Sequence, residues 1–120
     1  MTIFELRRHE EELPIVKGVR RADNPLARLV GLMGKAHLAE QEGLWILPCS
    51  SIHSCFMRFE FDAVFIDKNN TVVHLIERMK PWRISALIIP KSHSVIELAG
   101  GVIAHHQLKI GDRLLLTPKS

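Results

Sequence analysis

The chain has 120 residues, of which 47% are hydrophobic and 24% are charged, and its formal net charge is +3. This length and composition exclude a disordered chain and predict a single domain over residues 1–120 that buries one core. The basic residues are scattered and the chain has no tyrosine, whereas nucleic-acid binders show a dense basic stripe with interleaved aromatic residues. We therefore expect no nucleic-acid partner.

The sequence shows no targeting segment. The first 30 residues lack the basic and then apolar pattern of a signal peptide, and no apolar run reaches the roughly 18 residues of a membrane span. We expect no membrane span in this chain and a cytoplasmic location for the chain as given, although a mature exported form without its leader would look the same. Cys49 and Cys55 would lie roughly 20 Å apart on one extended strand, so both are expected to be thiols.

The N-terminal half predicts two strands followed by a helix. Residues 3–8 alternate like a strand, and residues 15–19 indicate a second, edge-like strand. A helix start is indicated at residues 23–25 (Asp-Asn-Pro), because a capping side chain precedes a proline in the first turn. Apolar residues then follow at helical spacing, and Gly34 is a typical stop. The apolar positions are Leu26, Leu29, Val30 and Met33.

The rest of the chain predicts short strands separated by turns. Turn-forming residues at 67–70 join two apolar runs into a hairpin, and prolines interrupt several of the other runs. The expected strands cover residues 44–47, 52–59, 63–66, 71–76, 84–89, 94–98 and a last strand ending at residue 116. The fold class is therefore mainly β (α+β): a small barrel-like or sandwich domain of six to seven short strands, with one helix in the N-terminal half.

Polar side chains are concentrated in an otherwise apolar segment in the middle of the chain. This segment holds Cys49, His53, Arg58 and Asp62, and burial of such groups without partners would cost several kcal/mol per charge. A carboxylate that enters a core strand needs an arginine or backbone amides as partners. We therefore expect Asp62 to contact Arg58 or Arg83.

A second polar element follows Pro81, where Trp82 and Arg83 stand on a stiffened loop. An aromatic ring beside a guanidinium group suits stacking and bidentate binding of an anion. We expect this loop and His53 to line one site. The candidate ligand-binding residues are Cys49, His53, Arg58, Asp62, Trp82 and Arg83, and no catalytic or metal-binding residue is assigned.

Metal and enzyme chemistry remain alternatives for the same segment. Cys49, His53 and Cys55 are zinc-ligand types, but their spacing is irregular and a fourth ligand would have to come from elsewhere, so we expect no metal and no cofactor. On one strand, His53 and Cys55 would be roughly 6.5–7 Å apart, beyond hydrogen-bond reach. Cys49 follows a proline and could fold back, which leaves open a hydrolase or thiol-dependent enzyme centred on Cys49 and His53.

A series of short motifs runs between residues 22 and 116: GLMGK at 31–35, GL at 43–44, PC at 48–49, SIH at 51–53, FMRF at 56–59, Asp62, VFID at 64–67, VV at 72–73, PWR at 81–83, VIEL at 95–98, Gly101 and GDRL at 111–114. In this order they closely resemble an uncharacterised bacterial and archaeal family, domain of unknown function one-ninety-two. The resemblance implies a compact, mostly β domain with a short helix, and it implies no established activity, cofactor or substrate. Members are often exported or membrane-tethered, which leaves the location of this chain open.

The hypothesis favoured by the sequence is a non-enzymatic binding module. Its polar residues would receive an unknown small or anionic ligand, or a segment of a partner protein. The enzyme described above is one alternative, and a purely structural network of buried polar groups is the other.

Overall fold

A computed structural model of the chain describes residues 2–24, 37–54, 57–85 and 88–119. Within these residues the regular structure consists of seven strands and one short helix. The strands are β1 (Ile3–Arg8), β2 (Val16–Ala22), β3 (Glu42–Ile46), β4 (Phe61–Ile66), β5 (Val72–Met79), β6 (Ser94–Ala99) and β7 (Leu114–Pro118), and the helix is α1 (Val102–His106). The helix predicted to begin at residues 23–25 falls almost entirely outside the described residues.

All seven strands belong to one mixed sheet with the order β5-β4-β6-β3-β2-β1-β7. Strands β2 and β3 are parallel, and the other neighbouring pairs are antiparallel. The two edge strands, β5 and β7, approach each other at one end, where Thr71 and Arg113 form an isolated bridge. The sheet therefore curls towards itself but, in the described part of the chain, does not close into a barrel, and it is a single sheet rather than a sandwich.

The predicted class, mainly β with six to seven short strands, is confirmed. The hairpin turn at residues 67–70 is also confirmed, because the Oδ1 atom of Asp67 accepts hydrogen bonds from the amides of Asn69 at 2.8 Å and Thr71 at 2.9 Å. Asn70 adopts the left-handed conformation that such a turn requires, with φ of 63°. A turn of this kind is local chemistry, which is why the sequence predicts it well.

Three of the predicted elements differ from the structure, and one observed element was not predicted. The segment expected to be an edge strand is β2, which lies inside the sheet between β1 and β3. The strands expected over residues 52–59 and 84–89 are wrong, since the described residues there pair through an isolated bridge outside the sheet. The helix α1 follows Gly101, where only a turn was expected, and its five residues are too few to show a helical period.

Both faces of the neighbouring strands β4 and β6 are buried. Side chains alternate along each strand, so these two strands contribute to two separate clusters of apolar residues. The first core cluster includes Leu6, Val16, Val19, Val64, Ile66, Ile96, Leu98, Val102, Ile103 and Leu114. The second core cluster includes Ala22, Leu38, Leu44, Ile46, Ile52, Met57, Phe61, Ala63, Phe65, Met79, Ile89 and Val95.

Candidate functional site

Two loop segments outside the sheet, residues 50–54 and 82–85, form an antiparallel pair that we call the ribbon. Ser85 donates its amide hydrogen to the carbonyl of Ile52 at 2.9 Å, and the amide of Ile52 donates to Oγ of Ser85 at 2.9 Å. His53 lies opposite Ile84 in an isolated bridge. The ribbon therefore places His53 beside the loop that carries Trp82 and Arg83.

Ser54 connects the two segments of the ribbon and is fully buried. Its amide donates to the carbonyl of Arg83 at 2.8 Å, and its Oγ atom accepts from the amide of Arg83 at 2.8 Å and donates to the carbonyl of Lys80. Its own carbonyl accepts from the amides of Trp82 at 3.0 Å and Met57 at 3.1 Å. Sequence reasoning did not single out Ser54, because a lone serine in a polar loop carries no signal of such a role.

The ribbon presents the predicted site residues to solvent. The side chain of Trp82 is 59% exposed, and its backbone has a left-handed φ of 62°, which is uncommon for a bulky residue. His53, Arg58 and Arg83 are also exposed. Arg58 directly follows Met57, whose amide donates to the carbonyl of Ser54. The structure thus brings the segments of four of the six candidate residues together on one surface.

The described segments that flank the ribbon, residues 57–60, 80–81 and 88–91, carry more basic than acidic side chains. Arg58, Lys80, Arg83 and Lys91 are all exposed. The acidic residue in these segments is Glu60, and its Oε1 atom lies 3.9 Å from Nη1 of Arg78. The ribbon therefore combines an aromatic ring with several positive charges, which attract anions over a range of about 8–10 Å at physiological salt.

Cys49 precedes the ribbon and is half-buried. Its amide donates to the carbonyl of His93 at 2.8 Å, and its Sγ atom lies 3.0 Å from the carbonyl oxygen of Ser51. The hydrolase or thiol-dependent alternative centred on Cys49 and His53 stays a prediction, and Cys55 lies outside the described residues.

Asp62, on β4, is fully buried and faces the first core cluster. Its Oδ1 atom accepts the amide of Arg78 at 2.8 Å, while its Oδ2 atom accepts the amides of Gly101 at 3.1 Å and Ile103 at 2.8 Å. The last two amides belong to the start of α1, where amide hydrogens have no partner within a helix. Asp62 therefore ties the edge strand β5 and the helix to β4.

The partners of Asp62 correct the expectation drawn from the sequence. We expected Arg58 or Arg83 to contact its carboxylate, but among the described residues its hydrogen bonds come from backbone amides. Asp62 also projects from the face of β4 opposite to the second core cluster. It is therefore separated from the ribbon, and its geometry is that of a structural residue rather than of a ligand-binding one.

Glu97, on β6, is a buried carboxyl group that sequence reasoning did not select. It is 4% exposed and pairs across the sheet with Leu44 on β3 and Ala63 on β4, both members of the second core cluster. No hydrogen bond or ion pair within the described residues reaches its carboxyl group, and burial raises its pKa to about 8. The signal that could have identified it is a charged residue within an apolar strand, at positions 95–98 (Val-Ile-Glu-Leu).

Metal ligands are not clustered in the part of the chain that the structure describes. Within it, no group of three or more histidine, cysteine, aspartate and glutamate side chains is placed to hold a metal ion. None of the described helices is both long and apolar enough to cross a membrane. The expectation that the protein binds no metal and no cofactor stays a prediction.

Two solved structures share this fold. A protein of unknown function from Novosphingobium aromaticivorans superimposes with a TM-score of 0.72 and 20% identity, covering 83% of this chain and 74% of its own. A putative transcription regulator from Sinorhizobium meliloti superimposes with a TM-score of 0.75 and 22% identity, covering 96% of this chain and 92% of its own. At these identities the likeness establishes the fold alone.

Sequence comparisons establish the family. The UPF0127 protein of Pyrococcus furiosus is 34% identical over 103 residues, which are 80% of this chain and 84% of that protein. The UPF0127 protein of Pyrococcus horikoshii is 35% identical with the same coverage. The family model described as Uncharacterized ACR, domain of unknown function 192, matches residues 7–116. The resemblance noted from the motifs is thereby confirmed, and the chain belongs to this uncharacterised family.

Proposed function

We propose that the protein is a non-enzymatic binding module whose ribbon receives an anionic ligand, either a small anion or an acidic segment of a partner. The observation that carries the proposal is the bonding of Ser54, which holds the two segments of the ribbon together. His53, Trp82 and Arg83 thereby stand exposed on a fixed backbone. A site whose backbone is already ordered binds without the entropic cost of ordering it.

The chemistry of the ribbon supports an anion rather than an apolar ligand. Arg83 presents a planar fork of donors that matches a carboxylate or a phosphate, and Trp82 supplies a flat surface for stacking. The guanidinium of Arg83 is only loosely held, since its Nη1 atom lies 3.4 Å from the carbonyls of both Pro81 and Trp82. Long bonds of this kind are readily exchanged for a charged acceptor.

The proposal is tested by NMR of the full-length protein during titration with citrate, pyrophosphate and a short polyglutamate peptide. The two tryptophans give two indole signals, and Trp45 serves as an internal control because its Nε1 atom donates to Oγ of Ser94 at 3.0 Å. We expect the indole signal of Trp82 and the amide signals of Ser54 and Arg83 to shift in a saturable way, while the signal of Trp45 stays in place.

Variants determine whether the shifts depend on the ribbon. We expect Trp82→Ala and Arg83→Ala each to weaken binding of the responding anion by about tenfold, which corresponds to the loss of one charge-assisted or stacking contact. Lys109→Ala and Ile110→Ala are matched controls, because Lys109 is exposed and Ile110 is 64% exposed on another part of the chain. If none of the three probes shifts the ribbon signals, or if the control variants weaken binding equally, the proposal is wrong.

A further inference from the structure

The pairing of the ribbon continues to residue 89, and the paired segments are apolar on both of their sides. The amide of Ile89 donates to the carbonyl of Ser50 at 2.8 Å, which extends the contact between the two segments. On the inner side, Ile52 and Ile89 are buried and belong to the second core cluster. Ile84 and Ile88, by contrast, are 68% and 71% exposed. Burial of such side chains against another apolar medium is favourable.

Trp82 joins these two isoleucines, and we call Trp82, Ile84 and Ile88 the apolar ridge. The large hydrophobic side chains that are exposed in the described part of the chain are Leu13, Trp82, Ile84, Ile88 and Ile110. Three of these five fall between positions 82 and 88, while Leu13 and Ile110 stand singly in other loops. A single exposed apolar residue is ordinary on a protein surface, whereas a group of them marks an interaction surface.

Basic side chains accompany the apolar ridge along the chain. Arg83 lies within it, Lys80 precedes it and Lys91 follows it, and all three are exposed. Arg58, next to the ribbon, adds a fourth exposed positive charge. A partner that matches this surface therefore combines an apolar interior with negative charge at its own surface.

The size of the apolar ridge favours a membrane surface over a folded protein as this partner. A stable protein complex buries roughly 800 Å² on each partner between complementary shapes, which three side chains do not supply. A bilayer requires no matching shape, and the strength of binding grows with the apolar area that enters it. Tryptophan favours the headgroup level of a bilayer, and lysine and arginine are attracted to anionic lipids.

We propose that the apolar ridge and its basic neighbours dock the protein on the surface of a bilayer that contains anionic lipids. Ile84 and Ile88 enter the outer part of the acyl layer, and Trp82 lies at the level of the headgroups. Arg83 and the flanking lysines donate to lipid phosphates. Lipid phosphate is then the anion that the ribbon receives, so this inference rests on the proposed function.

Co-sedimentation of the full-length protein with vesicles tests the docking. One set of vesicles consists of phosphatidylcholine, and the other contains about a third of phosphatidylglycerol, which is anionic. We expect the partition coefficient of the protein to be about tenfold higher or more with the anionic vesicles. Addition of sodium chloride should lower it, because salt screens the attraction between the basic side chains and the lipid.

Variants determine whether the apolar ridge carries the binding. The double variant with Ile84→Ser and Ile88→Ser should lower the partition coefficient by about tenfold, because less apolar area enters the bilayer. Ile110→Ser is the matched control, since Ile110 is 64% exposed in another loop, and it should change little. Lys91→Ala should lower the partition coefficient by about fivefold, whereas Lys109→Ala, at an exposed position elsewhere, should not.

Fluorescence locates the part of the protein that enters the bilayer. Lipids with bromine on their acyl chains quench a tryptophan that contacts those chains. We expect quenching in the wild type and its loss in Trp82→Phe, because the remaining Trp45 donates its Nε1 hydrogen to Oγ of Ser94 within the fold. Phenylalanine keeps an aromatic ring, so this variant should still sediment with the anionic vesicles. Equal quenching in the two proteins would contradict the orientation.

The proposal is overturned if the protein binds neutral and anionic vesicles equally, if it binds neither, or if the double variant binds as the wild type does. Release of the protein by glycerol phosphate, at the same phosphate concentration as the lipid, would show that the ribbon recognises the free anion and would also overturn it. So would self-association in analytical ultracentrifugation that the double variant abolishes, because the ridge would then join two copies. If vesicles fail while citrate or pyrophosphate still shifts the ribbon signals, the proposed function stands without the membrane; if both fail, neither stands.

Discussion

The two faces of the β4–β6 pair hold one buried carboxyl group each, and the surroundings of the two groups are opposite. Asp62 faces the first core cluster and accepts three backbone amides. Glu97 faces the second core cluster, and no hydrogen bond of the described residues reaches it. Equal burial therefore does not mean an equal role. A buried carboxylate whose acceptor sites are filled by backbone amides holds elements together, whereas one without such partners costs stability.

Removal of the Asp62 carboxylate should have the largest effect on stability. Asp62→Ala leaves three buried amides without a partner, so we expect the free energy of unfolding to fall by about 3–5 kcal/mol. Urea denaturation of the variant and the wild type measures the difference. Asp67→Ala is the matched control, because Asp67 also accepts two amides but lies in an exposed turn, and it should cost about 1 kcal/mol.

The contrary result is a shift in the midpoint of urea denaturation that is no larger for Asp62→Ala than for Asp67→Ala. That result would show that the amides of α1 and β5 find other partners. The structural role of Asp62, and with it one side of the comparison, would then be wrong.

Glu97 should make the stability of the protein depend on pH in the opposite sense to a paired carboxylate. Burial raises its pKa from 4.5 to about 8, so the folded state holds a proton that the unfolded state has already lost in this range. The contribution of Glu97 to the free energy of unfolding should therefore be highest below pH 4.5. It should fall by about 1.4 kcal/mol per pH unit from there up to pH 8. Urea denaturation over this range measures the slope.

Glu97→Gln isolates the contribution of this one group, because the amide has nearly the same size and does not titrate. We expect the variant to be more stable than the wild type at pH 9 by a few kcal/mol, with little difference at pH 4. An equal pH dependence of the two proteins would show that Glu97 is already ionised in the folded state at neutral pH.

Ser54 should show a smaller effect, which falls on the ribbon. Ser54→Ala removes the hydroxyl that bonds to the carbonyl of Lys80 and to the amide of Arg83, so we expect a loss of about 1–3 kcal/mol. Amide hydrogen exchange should show faster exchange for the amide of Arg83 than in the wild type. Ser92→Ala is the control, because Ser92 is half-buried and bonds to the carbonyl of Cys49. Equal protection of Arg83 in Ser54→Ala and the wild type would contradict the account of the ribbon.

Local chemistry explains what the sequence predicted correctly. The hairpin turn at residues 67–70 depends on side chains bonding to their own backbone, and the alternation within β1 and β4 depends only on neighbouring residues. The strands expected at residues 52–59 and 84–89 are wrong. Their apolar composition suits a strand, but the described residues of the two segments pair with each other and not with the sheet. Pairing is a tertiary property that composition does not specify.

The sequence anticipated only part of the arrangement of the candidate residues, and their role as a binding site stays a prediction. The residue types predicted a proline-stiffened loop at Trp82 that lies close to His53. The structure places these two segments side by side. The partners of Asp62 come from β5 and α1, which lie 16 to 41 residues away in the chain, so no local pattern could name them. Glu97 was overlooked because its face is set by register with β3 and β4, which only the fold determines.

The central claim is that Glu97, unlike Asp62, has no hydrogen-bond or ion-pair partner among the residues that the structure describes. A 13C NMR titration of the glutamate carboxyl carbons, with the signal of Glu97 assigned by its loss in Glu97→Gln, tests this claim most directly. We expect that signal to titrate with a midpoint near pH 8, because burial raises the pKa of Glu97 to about 8. A midpoint near the ordinary value of 4.5 would mean that the carboxylate is already compensated, and it would contradict the account.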